Sequence, residues 1–225
     1  MEEELFPIFL NVNTQRDFFE GGSYKIRSAE HILTNLNDIT QYAKVKGAKI
    51  ISTVGWYHPN SKFLSDNPDY NKTYPKHCLM NTEGAKFLKE TSPENYFLMD
   101  WNSPQGLQFH ELHNNNNVVV TKKEMGFFEG NTYSESLIHN LGIPIMQRPL
   151  FMVYGINIGP VVLGLLKRGY SVKVVEDANR NLNGLPFKKS DIIEEKQNPY
   201  PDQIQAPLSD ETPLQFLTTK QVLDL

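Results

Sequence analysis

The chain has 225 residues, 39% of them hydrophobic, and a formal net charge of −4. This content can bury one substantial core, so we expect a single domain over residues 1–225. The lysines are scattered and the charge is weakly acidic, which excludes the basic surface that nucleic acid and anionic membranes require, so neither is an expected partner.

No apolar run approaches the roughly 20 residues that a membrane helix needs. The start of the chain is acidic, where a secretory signal would be basic and then apolar. We therefore expect a soluble, cytoplasmic protein. The single cysteine, Cys78, excludes an internal disulfide and any metal site built from several cysteines.

Short apolar runs rich in Val, Ile and aromatic residues alternate with helical patterns along the chain. The helices are predicted at 28–47, with Ser28 as the N-cap, and at 134–141 and 160–168, each ending at or just before a glycine. Such alternation is typical of a three-layer αβα domain with a mostly parallel, Rossmann-like central sheet. The strands are predicted at 6–12, 49–54, 117–121, 150–154 and 171–176, with a short one at 216–219.

Proline and charge dominate residues 183–213, which we interpret as a long surface excursion. His110 and His113 resemble a metal pair only superficially, and we expect both to be solvated. In parallel sheets, ligands bind beyond the carboxyl ends of the strands, so the informative residues should follow Val12, Val54, Val120 and Tyr154.

Five segments carry a family resemblance. They are 11–23 (NVNTQRDFFEGGS), 73–78 (TYPKHC) with 82–85 (TEGA), 120–123 (VTKK) with 126–128 (GFF), 168–172 (RGYSV) with 174–178 (VVEDA), and 216–222 (FLTTKQV). In this order they resemble the isochorismatase-like cysteine hydrolases, the nicotinamidase relatives, over residues 6–222. The resemblance implies an isochorismatase-like hydrolase fold.

The resemblance also implies a catalytic trio: a cysteine nucleophile at a helix N-terminus, an aspartate at the end of the first strand and a lysine near both. Lys122 matches the lysine, with Lys123 as an alternative one residue along. Asn13 matches the aspartate. Counting without gaps, Asn157 matches the cysteine, whereas the local pattern would place it within 159–161.

None of the nucleophile candidates is a cysteine, and Cys78 matches a different family cysteine. The amide of Asn13 is close in shape to a carboxylate but cannot accept a proton. Because a nucleophile contributes on the order of 10⁶-fold to turnover, ordinary family hydrolysis is not expected. Cys78 itself is interpreted as a small buried hydrophobe rather than a reactive thiol.

Nicotinamidases hold a divalent metal through an aspartate and histidines. The resemblance places Gly55 at that aspartate and Tyr57 at the first histidine, with His58 one residue out of register and only His77 matching. One histidine without a carboxylate is a poor ligand set for zinc or iron, so we expect no catalytic metal and no other cofactor.

Asp17 is expected to cap a turn after the first strand, and a surrogate base is the less favoured interpretation. Several aromatic side chains near the motifs are by default core and rim residues. The residues predicted to line a pocket are Asp17, Phe18, Trp56, Tyr57, His77 and Phe127.

Three functional hypotheses follow. The first is a pseudoenzyme that keeps a pocket for a small planar ligand, or a surface for assembly. The second is a hydrolase with a rebuilt site, in which Lys122, Asp17 and Cys78 act on an amide-type small molecule. The third is a structural subunit that makes contacts through residues 183–213. The resemblance also implies a homo-oligomer.

Overall fold

The computed structural model of the chain describes residues 4–103, 112, 115–195 and 214–225. Seven of its strands form one parallel sheet, and two short strands pair outside it. The strands are β1 Glu4–Val12, β2 Lys49–Gly55, β3 Leu64–Ser65, β4 Tyr74–Pro75, β5 Tyr96–Met99, β6 Asn117–Lys122, β7 Gln147–Ile156, β8 Ser171–Arg180 and β9 Leu214–Leu217. The order across the sheet is β5-β6-β2-β1-β7-β8-β9, and β3 pairs with β4.

Helices cover both faces of the sheet. Their bounds are α1 Leu33–Val45, α2 Phe127–Gly130, α3 Ser134–His139, α4 Gly159–Lys167, α5 Lys189–Glu195 and α6 Thr219–Leu223. Residues of α1 and α6 share a buried cluster with one face of the sheet. Residues of α2 to α5 share a second cluster with the other face. Within the described ranges, no helix is both long and apolar enough to span a bilayer.

The central strands are buried on both faces, as parallel strands under helices usually are. Every residue of β2 is buried. Side chains alternate between the faces of a strand, so Ile8 and Leu10 of β1 join the α4 side while Phe9 joins the α1 side. These contacts confirm the αβα architecture predicted from the hydrophobic pattern.

One edge strand was not predicted. β5 is only four residues long, with Phe97 and Met99 buried and Tyr96 and Leu98 exposed. An alternation this short gives little periodic signal. Its place in the sheet comes from pairing with β6, whose paired residues lie 21 positions further along the chain.

The predicted N-cap of the first helix is wrong. Ser28 has a φ of 60°, and its side chain makes no capping hydrogen bond. Capping requires an extended backbone at this position. A 3-10 turn, Ala29–Ile32, follows, and α1 begins only at Leu33.

Two predictions near the end of the chain also need correction. The last strand ends at Leu217, because Thr218 caps α6 with a reciprocal capping box to Gln221. The proposed excursion 183–213 contains α5, and Phe187 and Ile192 of this stretch are buried in the core. Residues 196–213, like His110 and His113, lie outside the described residues.

Candidate functional site

The sheet has its topological switch point between β1 and β7. From β1 the chain passes to β2 on one side, and β7 lies on the other. Ligands of open parallel sheets bind at such a point. Gly155 of β7 has a φ of +120°, and a Cβ there would clash with the carbonyl oxygen of Val12. The close approach of the two strand ends therefore requires glycine.

Asn13 follows β1 directly and has a φ of 51°. Its Nδ2 donates to the carbonyl oxygen of Ile156 at 3.1 Å, and its backbone N–H donates to Thr53. The bond to a carbonyl fixes the orientation of the amide, since only the nitrogen can donate. The Oδ1 atom is buried and has no hydrogen-bond partner. Asn13 thus presents an unused acceptor.

Asn157 lies in the sharp turn between β7 and α4. Its φ is 53°, and its backbone N–H donates to the carbonyl of Arg180 at 2.7 Å. A strand-to-helix turn of this kind exposes a side chain at the top of the sheet, and asparagine tolerates the left-handed conformation. Gly159 and Val161, the alternative positions, lie inside α4 and are buried.

Lys122 is the last residue of β6 and is fully buried. Its Nζ donates to the carbonyl oxygen of Met125 at 3.0 Å. Burial lowers the pKa of Lys122 to about 7, against the opposing influence of Cys78 and Glu129. Lys123 is exposed and lies over the ring of Trp101. Of the two candidate lysines, only Lys122 points into the protein.

Met125 contacts candidate residues at the ends of two separate strands, β6 and β7. Its carbonyl accepts from Lys122, and its sulfur lies 3.9 Å from Nδ2 of Asn157. The loop after β6 therefore reaches over the ends of β2 and β1 toward the turn after β7. Asn13, Lys122 and Asn157 converge at this end of the sheet, which we call the carboxyl edge.

Asp17 acts as a clamp between two loops. Its Oδ1 accepts from the N–H of Ser23 at 3.0 Å, and its Oδ2 accepts from the N–H of Cys78 at 2.6 Å. The Cα of Gly84 also packs so closely that a Cβ there would clash with the carboxylate. These contacts match the capping role expected for Asp17.

Cys78 is fully buried, and burial raises the pKa of its thiol well above the usual value. Because the thiolate is the nucleophile, this environment suppresses reactivity. The side chain packs with the cluster on the α1 side of the sheet. Cys78 has the environment of the buried hydrophobe that the sequence favoured.

Aromatic rings fill the region where the resemblance places a metal. The Tyr57 ring lies so close to Gly55 that a Cβ on Gly55 would be 2.6 Å from it. The His77 ring lies 5.5 Å from Tyr57, 5.2 Å from Phe18 and 5.1 Å from Tyr24, measured between centroids.

A hydrogen bond also holds the His77 ring in this packing. Its Nδ1 donates to the carbonyl oxygen of Pro75 at 2.7 Å, and burial lowers its pKa. In the described part of the chain, no group of three or more His, Cys, Asp or Glu residues could hold a metal ion. With glycine in place of a carboxylate and Tyr57 over it, these residues do not fit the implied metal.

The remaining predicted pocket residues differ in position. Trp56 is half-buried. Its backbone N–H donates to the carbonyl oxygen of Lys122, and its backbone carbonyl accepts from Nε1 of Trp101. Phe127 is fully buried and packs edge-on against Phe128 within the α4-side core. Trp56 is therefore at the carboxyl edge, whereas Phe127 is part of the hydrophobic core.

Three residues at this edge were not singled out from the sequence. Gln15 donates to the carbonyls of Gly55 and Ala85 and accepts from the N–H of Gly55, each at 2.8 Å. Met125 bridges the two strand ends, as described above. Arg180 ends β8, and its Nε is buried without a partner. The rule that ligands bind after strand ends would have found Arg180 had β8 been predicted to its full length.

Comparison with known proteins gives a limited sequence match. No family model matches the chain. The nicotinamidase/pyrazinamidase of Mycobacterium tuberculosis is 29% identical over 76 residues, which are 34% of this chain. The match spans only 40% of that relative's length.

Solved structures match over nearly the whole chain. N-carbamoylsarcosine amidase from Thermoplasma acidophilum has a TM-score of 0.59 at 11% identity, covering 96% of this chain and 97% of its own. Pyrazinamidase of Pyrococcus horikoshii, solved in complex with zinc, has a TM-score of 0.58 at 21% identity, covering 94% and 98%. An isochorismatase family protein from Desulfovibrio vulgaris has a TM-score of 0.61 at 12% identity, covering 98% of each chain. The chain has the isochorismatase-like α/β fold that these proteins share.

Proposed function

We propose that this protein is a non-hydrolytic relative of the isochorismatase and nicotinamidase enzymes. It binds a small planar ligand with an amide group at the carboxyl edge and does not cleave it. The observation that carries the proposal is Asn13, whose Nδ2 is bound to Ile156 while its Oδ1 is buried without a partner.

The free oxygen of Asn13 can accept a hydrogen bond but is not a base. A buried acceptor without a partner costs about 1–3 kcal/mol, so a ligand N–H that reaches it is favoured by a similar amount. Lys122, whose Nζ donates to Met125, can offer a further N–H to a ligand carbonyl. A carboxamide carries both the donor and the acceptor that this pair selects.

Among the described residues of the carboxyl edge, Asn13 and Asn157 stand where the resemblance places the aspartate and the cysteine that start hydrolysis. The one thiol of the sequence, Cys78, is buried with a raised pKa, and both oxygens of Asp17 already accept backbone hydrogen bonds. These contacts weigh against the alternative of a rebuilt hydrolase that uses Cys78 and Asp17. A cytoplasmic location and a homo-oligomeric state remain part of the proposal.

The experiment compares binding with turnover. Purified protein is titrated with nicotinamide and pyrazinamide by isothermal titration calorimetry, and ammonia release is followed at high protein concentration. Pyruvate release from isochorismate is measured in parallel. We expect saturable amide binding with no release of ammonia or pyruvate above background.

A matched pair of variants tests the site. Asn13→Leu removes the free acceptor and should weaken amide binding by about tenfold or more, whereas Asn60→Ala changes an exposed loop asparagine and should leave binding unchanged. Ammonia release that Lys122→Met abolishes would show an active enzyme and overturn the proposal. Failure of the wild type to bind either amide would also overturn it.

A further inference from the structure

A groove of about 550 Å³ lies at the opposite end of the sheet from the carboxyl edge. Its origin is the strand register. β1 pairs with β7 from Glu4 onward, but with β2 only from Ile8. The first residues of β1 and β7 therefore extend past their neighbours and beyond the end of α1 at Val45. The volume is that of a small-molecule site rather than of a protein interface.

The floor of the groove is apolar. In the register of β1 and β7, Pro7 lies beside Leu150 and Phe9 beside Met152, so these four side chains share one face. Phe9 and Met152 are almost completely buried beneath it. Leu5, at the rim, is 43% exposed. This surface suits a flexible apolar chain.

The charged side chains that line the groove are both lysines, Lys46 and Lys173. Lys173 lies on β8 directly beside Met152, and the ammonium of Lys46 lies 5.1 Å from the centre of the Tyr42 ring. Neither lysine forms an ion pair with a described residue. Two cations beside an apolar floor complement a ligand with an apolar tail and an anionic head.

We propose that this groove binds a medium-chain carboxylate, with its alkyl chain over the apolar floor and its carboxylate at the lysines of the groove lining, Lys46 and Lys173. The site is separate from the carboxyl edge and does not depend on the function proposed for that edge. Burial of the alkyl chain supplies affinity, and the two ammonium groups supply selectivity for the anion.

Calorimetric titration with three probes of equal chain length tests the proposal: decanoate, decanol and decyltrimethylammonium. We expect one decanoate per chain, binding of decanol at least about tenfold weaker, and no binding of the cation. Lys173→Glu reverses one charge at the rim and should weaken decanoate binding by about tenfold or more.

Lys167→Glu is the matched control, because Lys167 is an exposed lysine of α4 on the other face of the sheet. It should leave decanoate affinity unchanged. Ala48→Phe, which fills the groove from its wall, should abolish binding of both decanoate and decanol.

Three outcomes would overturn the proposal. Equal affinities for decanoate and decanol would show that the lysines do not select an anion. Decanoate binding that survives Lys173→Glu together with Lys46→Glu would place the ligand elsewhere. If decanoate does not bind, and Ala48→Phe instead dissociates a dimer in sedimentation velocity, the occupant is a second copy of the chain.

Discussion

The side-chain nitrogen of Asn13 lies 3.1 Å from the carbonyl oxygen of Ile156, the residue just before Asn157. This bond ties the end of β1 to the turn after β7. It also disfavours aspartate at position 13, because a carboxylate there would place a second hydrogen-bond acceptor against the carbonyl oxygen of Ile156.

We therefore expect Asn13→Asp to lower the free energy of unfolding by about 1–3 kcal/mol at neutral pH, the cost of a lost buried hydrogen bond. Urea denaturation of the variant and the wild type measures the difference. Asn60→Asp, in an exposed loop, is the control and should change stability little. A variant as stable as the wild type would mean that another donor, such as Lys122, compensates for the carboxylate.

Rebuilding the catalytic pair tests whether Asn157 occupies the nucleophile position. In a Cys78→Ala background, the double change Asn13→Asp with Asn157→Cys should give a thiol with a pKa below the usual value of about 8.5. The N-terminus of α4 favours the thiolate. The rate of iodoacetamide labelling against pH measures this pKa.

Cysteines placed at two other positions are the controls for the thiol at position 157. Asn60→Cys should titrate near the usual value, and Val161→Cys should label slowly, because position 161 is fully buried. An ordinary pKa at position 157 would show that the N-terminus of α4 does not act there. Asn157→Cys should also cost about 1 kcal/mol of stability, since cysteine tolerates a φ of 53° less well than asparagine.

The lowered pKa of Lys122 predicts that the free energy of unfolding depends on pH. This pKa is about 7 in the folded chain and about 10.4 in the unfolded chain. Between these values the unfolded chain binds the additional proton, so stability rises with pH, by up to about 1.4 kcal/mol per pH unit. Below the folded pKa, Lys122 is protonated in both states, and this dependence disappears.

Urea denaturation of the wild type and Lys122→Met between about pH 7 and pH 8 isolates this effect. The wild type should gain stability across the window relative to the variant. The window stays below about pH 8.5, where Cys78 in the unfolded chain would lose its proton and offset the trend. Parallel curves for the two proteins would contradict a neutralised Lys122.

The contact between Gly55 and Tyr57 predicts strong coupling between the two positions. Gly55→Ala should destabilise the protein by about 1–3 kcal/mol, because the new Cβ would lie 2.6 Å from the Tyr57 ring. Tyr57→Leu should absorb part of that cost in the double variant, and a double-mutant cycle in urea measures the coupling. Additive effects would mean that the ring moves aside freely.

Asp17→Asn tests the clamp between the loops that carry Ser23 and Cys78. Loss of a charge-assisted hydrogen bond should cost about 1.5–3 kcal/mol and loosen the loop around Cys78. Labelling of Cys78 by Ellman's reagent should then be faster than in the wild type. Glu20→Gln, at an exposed carboxylate, is the control. Unchanged labelling would mean that the clamp does not limit access to the thiol.

Local pattern was sufficient for most of the sheet. The strands that became β1, β2, β6, β7 and β8 were predicted because buried parallel strands are continuous runs of apolar residues. The short edge strand β5 and the turn before α1 were not, since four residues give little periodicity and Ser28 takes a left-handed conformation that composition does not reveal.

For the site, the sequence by itself determined which residues follow the ends of the strands, because a parallel sheet brings those ends to one edge. It left open whether Lys122 or Lys123 points inward, since a shift of one residue moves a side chain to the other face. It also left open whether Asn157 or a residue within 159–161 matches the nucleophile position.

Tertiary structure decided these points through contacts between distant residues. The partner of Asn13 is 143 residues away in sequence, and that contact alone leaves its oxygen free. The rings of Tyr57 and His77, which lie on different loops, pack 5.5 Å apart between centroids. Such contacts depend on the packed geometry of segments far apart in the chain, which local hydrophobic periodicity does not specify.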